Sequence, residues 1–275
     1  MRHVQLQRRA AMISILMAAF LFIAVPAWTQ ESASLGPTDA LTPKCVVPAD
    51  VAHFDLPLSR FALRLAGGLP IKIVAIGSSS TAGAGASAPQ NSYPSRLAIE
   101  LGLHFPGHPL TVINRGVNGE EASEMLARFE TGVIAENPHL VIWQVGTNSL
   151  LRDRPFDPGA VVLHKGIARL KAIRTDVVLM DPQFAPRVVA KASRDAVIAQ
   201  IAQIAKEEKV GLLSRYALMR RWLETDGLPF KTFVTGDGLH MNDWGYACLA
   251  KSLGVAIADA AHRSTETAAV PQPRR

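Results

Sequence analysis

Five short apolar runs rich in β-branched residues constrain the fold of this chain more than any other feature: Ile71–Ile76, Leu110–Asn114, Leu140–Val145, Val177–Asp181 and Val210–Leu213. Each is too short for a helix and leads into a stretch where apolar residues return at helical spacing. Those stretches are Tyr93–His104, Glu121–Glu136, Gly159–Arg174 and Val188–Glu208, with two more near Tyr216–Leu223 and Asp243–His262. Strands alternating with helices need crossover connections, and crossovers produce a parallel sheet covered on both faces. The expected fold is α/β: a single three-layer α/β/α sandwich around a central, mostly parallel five-stranded sheet. In such sheets ligands bind beyond the carboxyl ends of the strands, so candidate chemistry is sought there.

The N-terminus follows a different rule. Arg2, Arg8 and Arg9 precede a charge-free apolar run, Ala10 to Ala27, that closes on Val25-Pro26-Ala27. This is the pattern of a secretory signal peptide cleaved after Ala27, with an uncleaved anchor as the alternative. The Arg8-Arg9 pair also hints at a twin-arginine route. Cleavage removes three positive charges and no negative ones, taking the formal net charge from +6 to +3. That modest excess has no Lys/Arg cluster behind it, so no nucleic-acid partner is expected, and no membrane span remains after cleavage. The organisation read from the chain is a signal peptide over 1–27, an arm and helix over 28–66, a main domain over 67–263 and a disordered tail over 264–275. The mature protein is expected to be periplasmic or extracellular. An oxidising compartment permits Cys45 and Cys248 to pair. Two buried free thiols are the other reading, because spacing alone does not show proximity.

At the strand ends stand "GSSSTAG", "NRGVNGEEA" and "VGTNSLL", and "DGLHMND" precedes the last helix. These groups suit acyl transfer. A serine hydroxyl is a poor nucleophile until a base takes its proton. His240 can be that base, and Asp237, three residues earlier on a tight turn, can orient the ring and stabilise the imidazolium. The backbone N–H groups of Ser79 and Gly119 and the amide of Asn148 can receive the oxyanion, each such donor being worth about 3–4 kcal/mol.

The order of these blocks resembles the SGNH (GDSL-type) hydrolase family, and the likeness runs over roughly residues 70–260. The family's Gly-Asp-Ser block appears as Gly77-Ser78-Ser79, which singles out Ser79. Its block-two glycine matches Gly119 after Asn114, its Gly-x-Asn-Asp block matches Gly146-Thr147-Asn148-Ser149, and its Asp-x-x-His block matches Asp237 to His240. The resemblance implies a flavodoxin-like SGNH hydrolase fold over 67–263. Two departures stand out: Ser78 and Ser149 replace acidic residues that, by that likeness, hold the loops around the nucleophile.

Competing motifs are weaker. Gly83-x-Gly85-x-x-Ala88 lies well beyond the strand and runs into Pro89, which does not suit a dinucleotide fingerprint. Thr81 stands where Gly-x-Ser-x-Gly requires glycine, which argues against the α/β-hydrolase elbow. The other histidines, including His104 and His108, have no metal-ligand spacing, so neither metal nor cofactor is expected. Trp143 reads as core, Phe184 and Trp244 as either packing or acyl-pocket residues, and Gln183 as either a crevice contact or a turn residue. The functional expectation is an exported serine esterase acting on a small-molecule, lipid or acylated-carbohydrate ester. An acyltransferase with the same residues, or a non-catalytic carbohydrate- or envelope-binding protein, are the alternatives.

Overall fold

The computed structural model describes residues 43–154 and 157–269. The signal-peptide reading, over 1–27, therefore lies outside the described residues. Strands β1 (Ile71–Gly77), β2 (Leu110–Gly116), β3 (Leu140–Gln144), β4 (Asp176–Met180) and β5 (Gly211–Leu213) form one sheet in the order β2-β1-β3-β4-β5, and every pairing is parallel. All five residues of β3 are buried, as are six of the seven in β1. That is why these strands read as continuous apolar runs: a sheet covered on both faces has no wet side to alternate toward. The expected α/β/α sandwich is the fold.

The helices are α1 (Ser59–Ala66), α2 (Ser79–Ala82), α3 (Tyr93–His104), α4 (Ala122–Ala127), α5 (Phe129–Gly132), α6 (Thr147–Leu151), α7 (Asp157–Ala172), α8 (Pro186–Val189), α9 (Arg194–Glu207), α10 (Arg215–Glu224) and α11 (Asp243–Ala269). Helices α1, α3 and α11 pack together, and α7 packs with α4 and α9 against the sheet. None of the helices among the described residues is long and apolar enough to cross a membrane.

Three boundaries differ from the sequence reading. The stretch Glu121–Glu136 is not one helix, because Arg128 and Val133 leave helical geometry and divide it into α4, α5 and a 3₁₀ turn. Arg128 is held out by its guanidinium, which grips the Glu120 carboxylate and the Arg115 carbonyl. Likewise Val188–Glu208 splits into α8 and α9. Within the arm and helix read over 28–66, α1 begins at Ser59, after Pro57. Finally, α11 runs to Ala269, into the stretch read as a tail from 264, since Ser264–Ala269 contains no glycine or proline to stop it.

Cys45 and Cys248 are joined as a disulfide, with Cα atoms 5.4 Å apart and 203 positions between them in sequence. A second tie anchors α1: the Phe61 N–H donates to Asp176 Oδ2 at 2.8 Å, at the start of β4. Burial pushes the Asp176 carboxyl up to about 6, against the pull of the Phe61 and Arg60 N–H groups. An acid whose folded pKa lies above its unfolded value holds its proton longer in the folded state, so its contribution to stability is lost as pH rises from about 4 to about 6. Asp176→Asn is expected to flatten that decline, read by urea unfolding at pH about 4 and about 6.5. A slope unchanged by the substitution would mean that Asp176 is already ionised in the folded protein at the lower pH.

Candidate active site

Strand β1 delivers the chain to a turn that leaves no room for a side chain at Gly77. A Cβ there would collide with Thr81 Oγ1 and Gln144 Oε1. Ser78 follows, buried, and both its N–H and its hydroxyl donate to Gln144 Oε1, at 2.9 and 3.0 Å. The Thr81 hydroxyl lies 3.4 Å from the same oxygen and 3.1 Å from the Tyr93 hydroxyl. From the other side, Asn114 Nδ2 donates to the Thr81 carbonyl at 2.8 Å, and Asn114 Oδ1 accepts the Gly116 N–H. The turn carrying Ser79 is thus tied to both β2 and β3. Ser79 itself is half-buried and opens α2, a position whose N–H has no carbonyl one turn upstream.

The second half of the site is a short hairpin after β5. Val234 and Met241 bridge antiparallel, and the Thr235 N–H donates to the His240 carbonyl. Within it Asp237 Oδ1 accepts the Thr235 hydroxyl and the N–H groups of Leu239 and His240, which leaves Oδ2 for the ring. His240 Nδ1 lies 2.5 Å from Asp237 Oδ2, and His240 Nε2 lies 2.9 Å from Ser79 Oγ. Burial works against the Asp237 charge, but the Thr235 hydroxyl, the His240 ring and the two N–H donors outweigh it and hold the carboxyl well below the usual carboxylate range. A carboxylate only accepts, so the Nδ1 proton belongs to the ring, and Nε2 is left to accept the Ser79 proton.

Gly119 and Asn148 come from the loops after β2 and β3. Gly119 has φ +81°, in the left-handed region that suits glycine. Its carbonyl accepts Arg152 Nη2 at 2.9 Å, while Arg152 Nη1 pairs with Glu121 at 2.5 Å. Asn148 Nδ2 donates to the Glu120 carbonyl at 2.8 Å. One amide hydrogen of Asn148 is thereby committed to bracing the Gly119 loop, and the other remains for a ligand. Ser149, in place of an acid, donates to the Gly146 carbonyl.

Three groups beneath the site escaped the sequence reading or were read differently. Gln144 gave no motif signal, being one polar residue at the end of an apolar run. Gln183, read as a possible crevice contact, is buried: its Oε1 accepts Thr147 Oγ1 at 3.0 Å and Arg215 Nη2 at 2.8 Å, while its Nε2 donates to the Leu239 carbonyl at 3.2 Å. It therefore links the Asn148 loop to the His240 hairpin. Arg215, fully buried, also donates from Nε to the Asp181 carbonyl. Burial pulls its guanidinium down to about 10 and pushes the Asp181 carboxyl up to about 6.

Ser79, His240, Gly119 and Asn148 face one cleft of about 410 Å³, with Leu151 and Arg187 among its walls. Phe184 and Trp244 do not line it. Phe184 packs on Tyr216 and Phe230, and Trp244 on Trp222. Trp143 is core, its indole N–H directed at Met125 Sδ. Among the described residues no group of three or more His, Cys, Asp and Glu side chains is placed to hold a metal ion. Chemically, the arrangement offers a hydroxyl, a base poised to deprotonate it and N–H donors on adjoining loops.

Comparison with known proteins adds a family. The model of a family described as non-GDSL lipase-like matches residues 44–263. An arylesterase of Vibrio mimicus is 28% identical over 172 residues, 61% of this chain and 84% of that protein. Among solved structures, a two-domain esterase active on acetylated mannans superposes with a TM-score of 0.66 at 20% identity, over 78% of this chain but only 57% of its own. An acetylxylan esterase from Geobacillus stearothermophilus superposes with a TM-score of 0.59 at 22% identity, over 68% of this chain and 94% of its own. The family match overturns the GDSL-type resemblance. Its physical counterpart is local: the aspartate that would precede the nucleophile is absent, and Ser78 is anchored by the Gln144 amide instead.

Proposed function

Since the chain belongs to the non-GDSL lipase-like family, we propose that it is an exported serine esterase that removes short acyl groups from carbohydrate esters. The observation that carries this reading is the unbroken relay from Asp237 through His240 to Ser79. Ser79 Oγ attacks the ester carbonyl while His240 Nε2 takes its proton. The backbone N–H groups of Ser79 and Gly119 and the free amide hydrogen of Asn148 hold the oxyanion. The carbon–oxygen bond to the alcohol then breaks, and His240 returns the proton to the departing oxygen. Water attacks the acyl-serine by the same route, releasing the carboxylic acid and restoring the Ser79 hydroxyl.

The substrate class draws its support from the acetylated mannans and acetylxylan named for the two structural neighbours, and from the small apolar lining that Ala84, Leu151 and Leu239 give the cleft. Export is carried over from the sequence and agrees with a disulfide at Cys45–Cys248. The test is hydrolysis of p-nitrophenyl esters from acetyl to palmitoyl, with fluorophosphonate labelling and mapping of the modified residue. Turnover greatest at acetyl and a label on Ser79 are the expected results. A folded protein that neither turns over any ester nor takes the label would instead support the non-catalytic binding alternative.

A further inference from the structure

Two cations, Arg152 and Arg187, line the cleft, and the Asp237 carboxylate stands behind His240. Arg152 is committed to Glu121 and the Gly119 carbonyl, Arg154 lies 3.3 Å from the same Glu121, and Lys191 pairs with Asp153 at 2.6 Å. Arg187 differs. It lines the cleft beside Ser79 and His240, is exposed, and its guanidinium has neither an ion pair nor a hydrogen bond among the described residues. Its position is nonetheless fixed from below. It follows Pro186 at the start of α8, and its N–H donates to the Gly238 carbonyl at 3.0 Å, so it rests on the turn that carries Asp237 and His240.

We propose that the natural ester carries a carboxylate on its alcohol part, as an acylated uronic-acid carbohydrate does, and that Arg187 binds that carboxylate. The proposal rests on the esterase reading above. The alcohol side follows from the chemistry: His240 delivers a proton to the departing alcohol, so the alcohol must lie along the His240 wall, which is the wall Arg187 stands on. The oxyanion donors come from other loops, after β1, β2 and β3. A planar guanidinium fork matches a carboxylate bidentately. One uncommitted guanidinium answers one such group, whereas a phosphate monoester, with its second charge, would call for more. A neutral acetylated xylan or mannan would leave this cation with nothing to hold. An unpaired guanidinium on the rim also attracts anionic esters before they bind.

The test compares 4-acetoxybenzoate, whose leaving group bears a carboxylate, with its neutral methyl ester. In the wild-type protein at low salt, kcat/KM is expected to favour the anionic ester by about tenfold, a preference that shrinks as salt is added. Arg187→Gln is expected to bring that ratio to about one, mainly through KM. Lys251→Gln removes an equal charge from an exposed site outside the cleft and is expected to keep the ratio. Binding of 4-acetoxybenzoate to Ser79→Ala, measured by calorimetry with and without Arg187→Gln, reads the same site without turnover. Ser79-dependent hydrolysis of both esters with no anionic preference, or a preference that survives Arg187→Gln, overturns the carboxylate proposal and leaves the esterase reading standing. Absence of Ser79-dependent hydrolysis overturns the esterase reading, and the calorimetry then decides the anion site by itself.

Discussion

Ser79→Ala is expected to lower ester hydrolysis by about 10⁴–10⁶-fold while the protein unfolds at its wild-type temperature. The two halves of that expectation have separate causes. Among the described residues the hydroxyl makes one hydrogen bond, with His240 Nε2 at 2.9 Å. The side-chain bonds that fix the turn belong to neighbours, chiefly Ser78 and Thr81 on Gln144 and the Thr81 carbonyl on Asn114, while Ser79 itself contributes only its backbone carbonyl. On the proposed reading alanine therefore removes the nucleophile and leaves the scaffold, and Nε2 turns to water in an open cleft. Hydrolysis of p-nitrophenyl acetate beside a thermal melt measures both. A variant that keeps more than about a tenth of the activity would remove Ser79 from the nucleophile's role, because what survives without a nucleophile is far smaller than that.

Breaking the Cys45–Cys248 bridge is the change with the largest expected effect on stability. A cross-link closing a loop of 203 positions restricts the unfolded chain by about 5 kcal/mol on loop-closure arguments. For a domain of this size that corresponds to a melting temperature lower by about 10–20 °C. Cys45→Ser with Cys248→Ala, melted beside the oxidised and the reduced wild type, gives the number. Alanine is the choice at 248 because that position is buried in α11 and a hydroxyl there would need a partner. Esterase activity at low temperature should survive, since neither cysteine lines the cleft. Equal melting of the three forms would mean that the segment at Cys45 is held to α11 by its other contacts alone.

The sheet was legible because a strand buried on both faces must be written in β-branched apolar residues, and Ile71–Ile76 and Leu140–Val145 are. Helix ends were less so. Nothing in "EEASEMLARFE" announces that Arg128 will swing out to grip Glu120, because that contact depends on where the loop before α4 lands. The candidate site was legible as four separate blocks, each a plausible turn by itself. Their convergence on one crevice followed from the rule that parallel strand ends share a rim; the distances did not, such as the 2.9 Å between Ser79 Oγ and His240 Nε2, 161 positions apart. The likeness to GDSL-type enzymes went astray at Ser78. A missing aspartate reads as a lost anchor, and the replacement sits on another strand as a single glutamine that no local pattern distinguishes.

That glutamine has a consequence for the conditions under which the protein can work. A turn latched by a carboxylate loosens when acid neutralises the latch or salt screens it. The Gln144 amide has no proton to gain across the ordinary pH range and no charge to screen, and it is buried away from solvent ions. Acidity and salinity therefore leave undisturbed the seat on which Ser79 is mounted. On the reading proposed above, an exported esterase would keep its nucleophile in register in surroundings whose composition the cell does not govern.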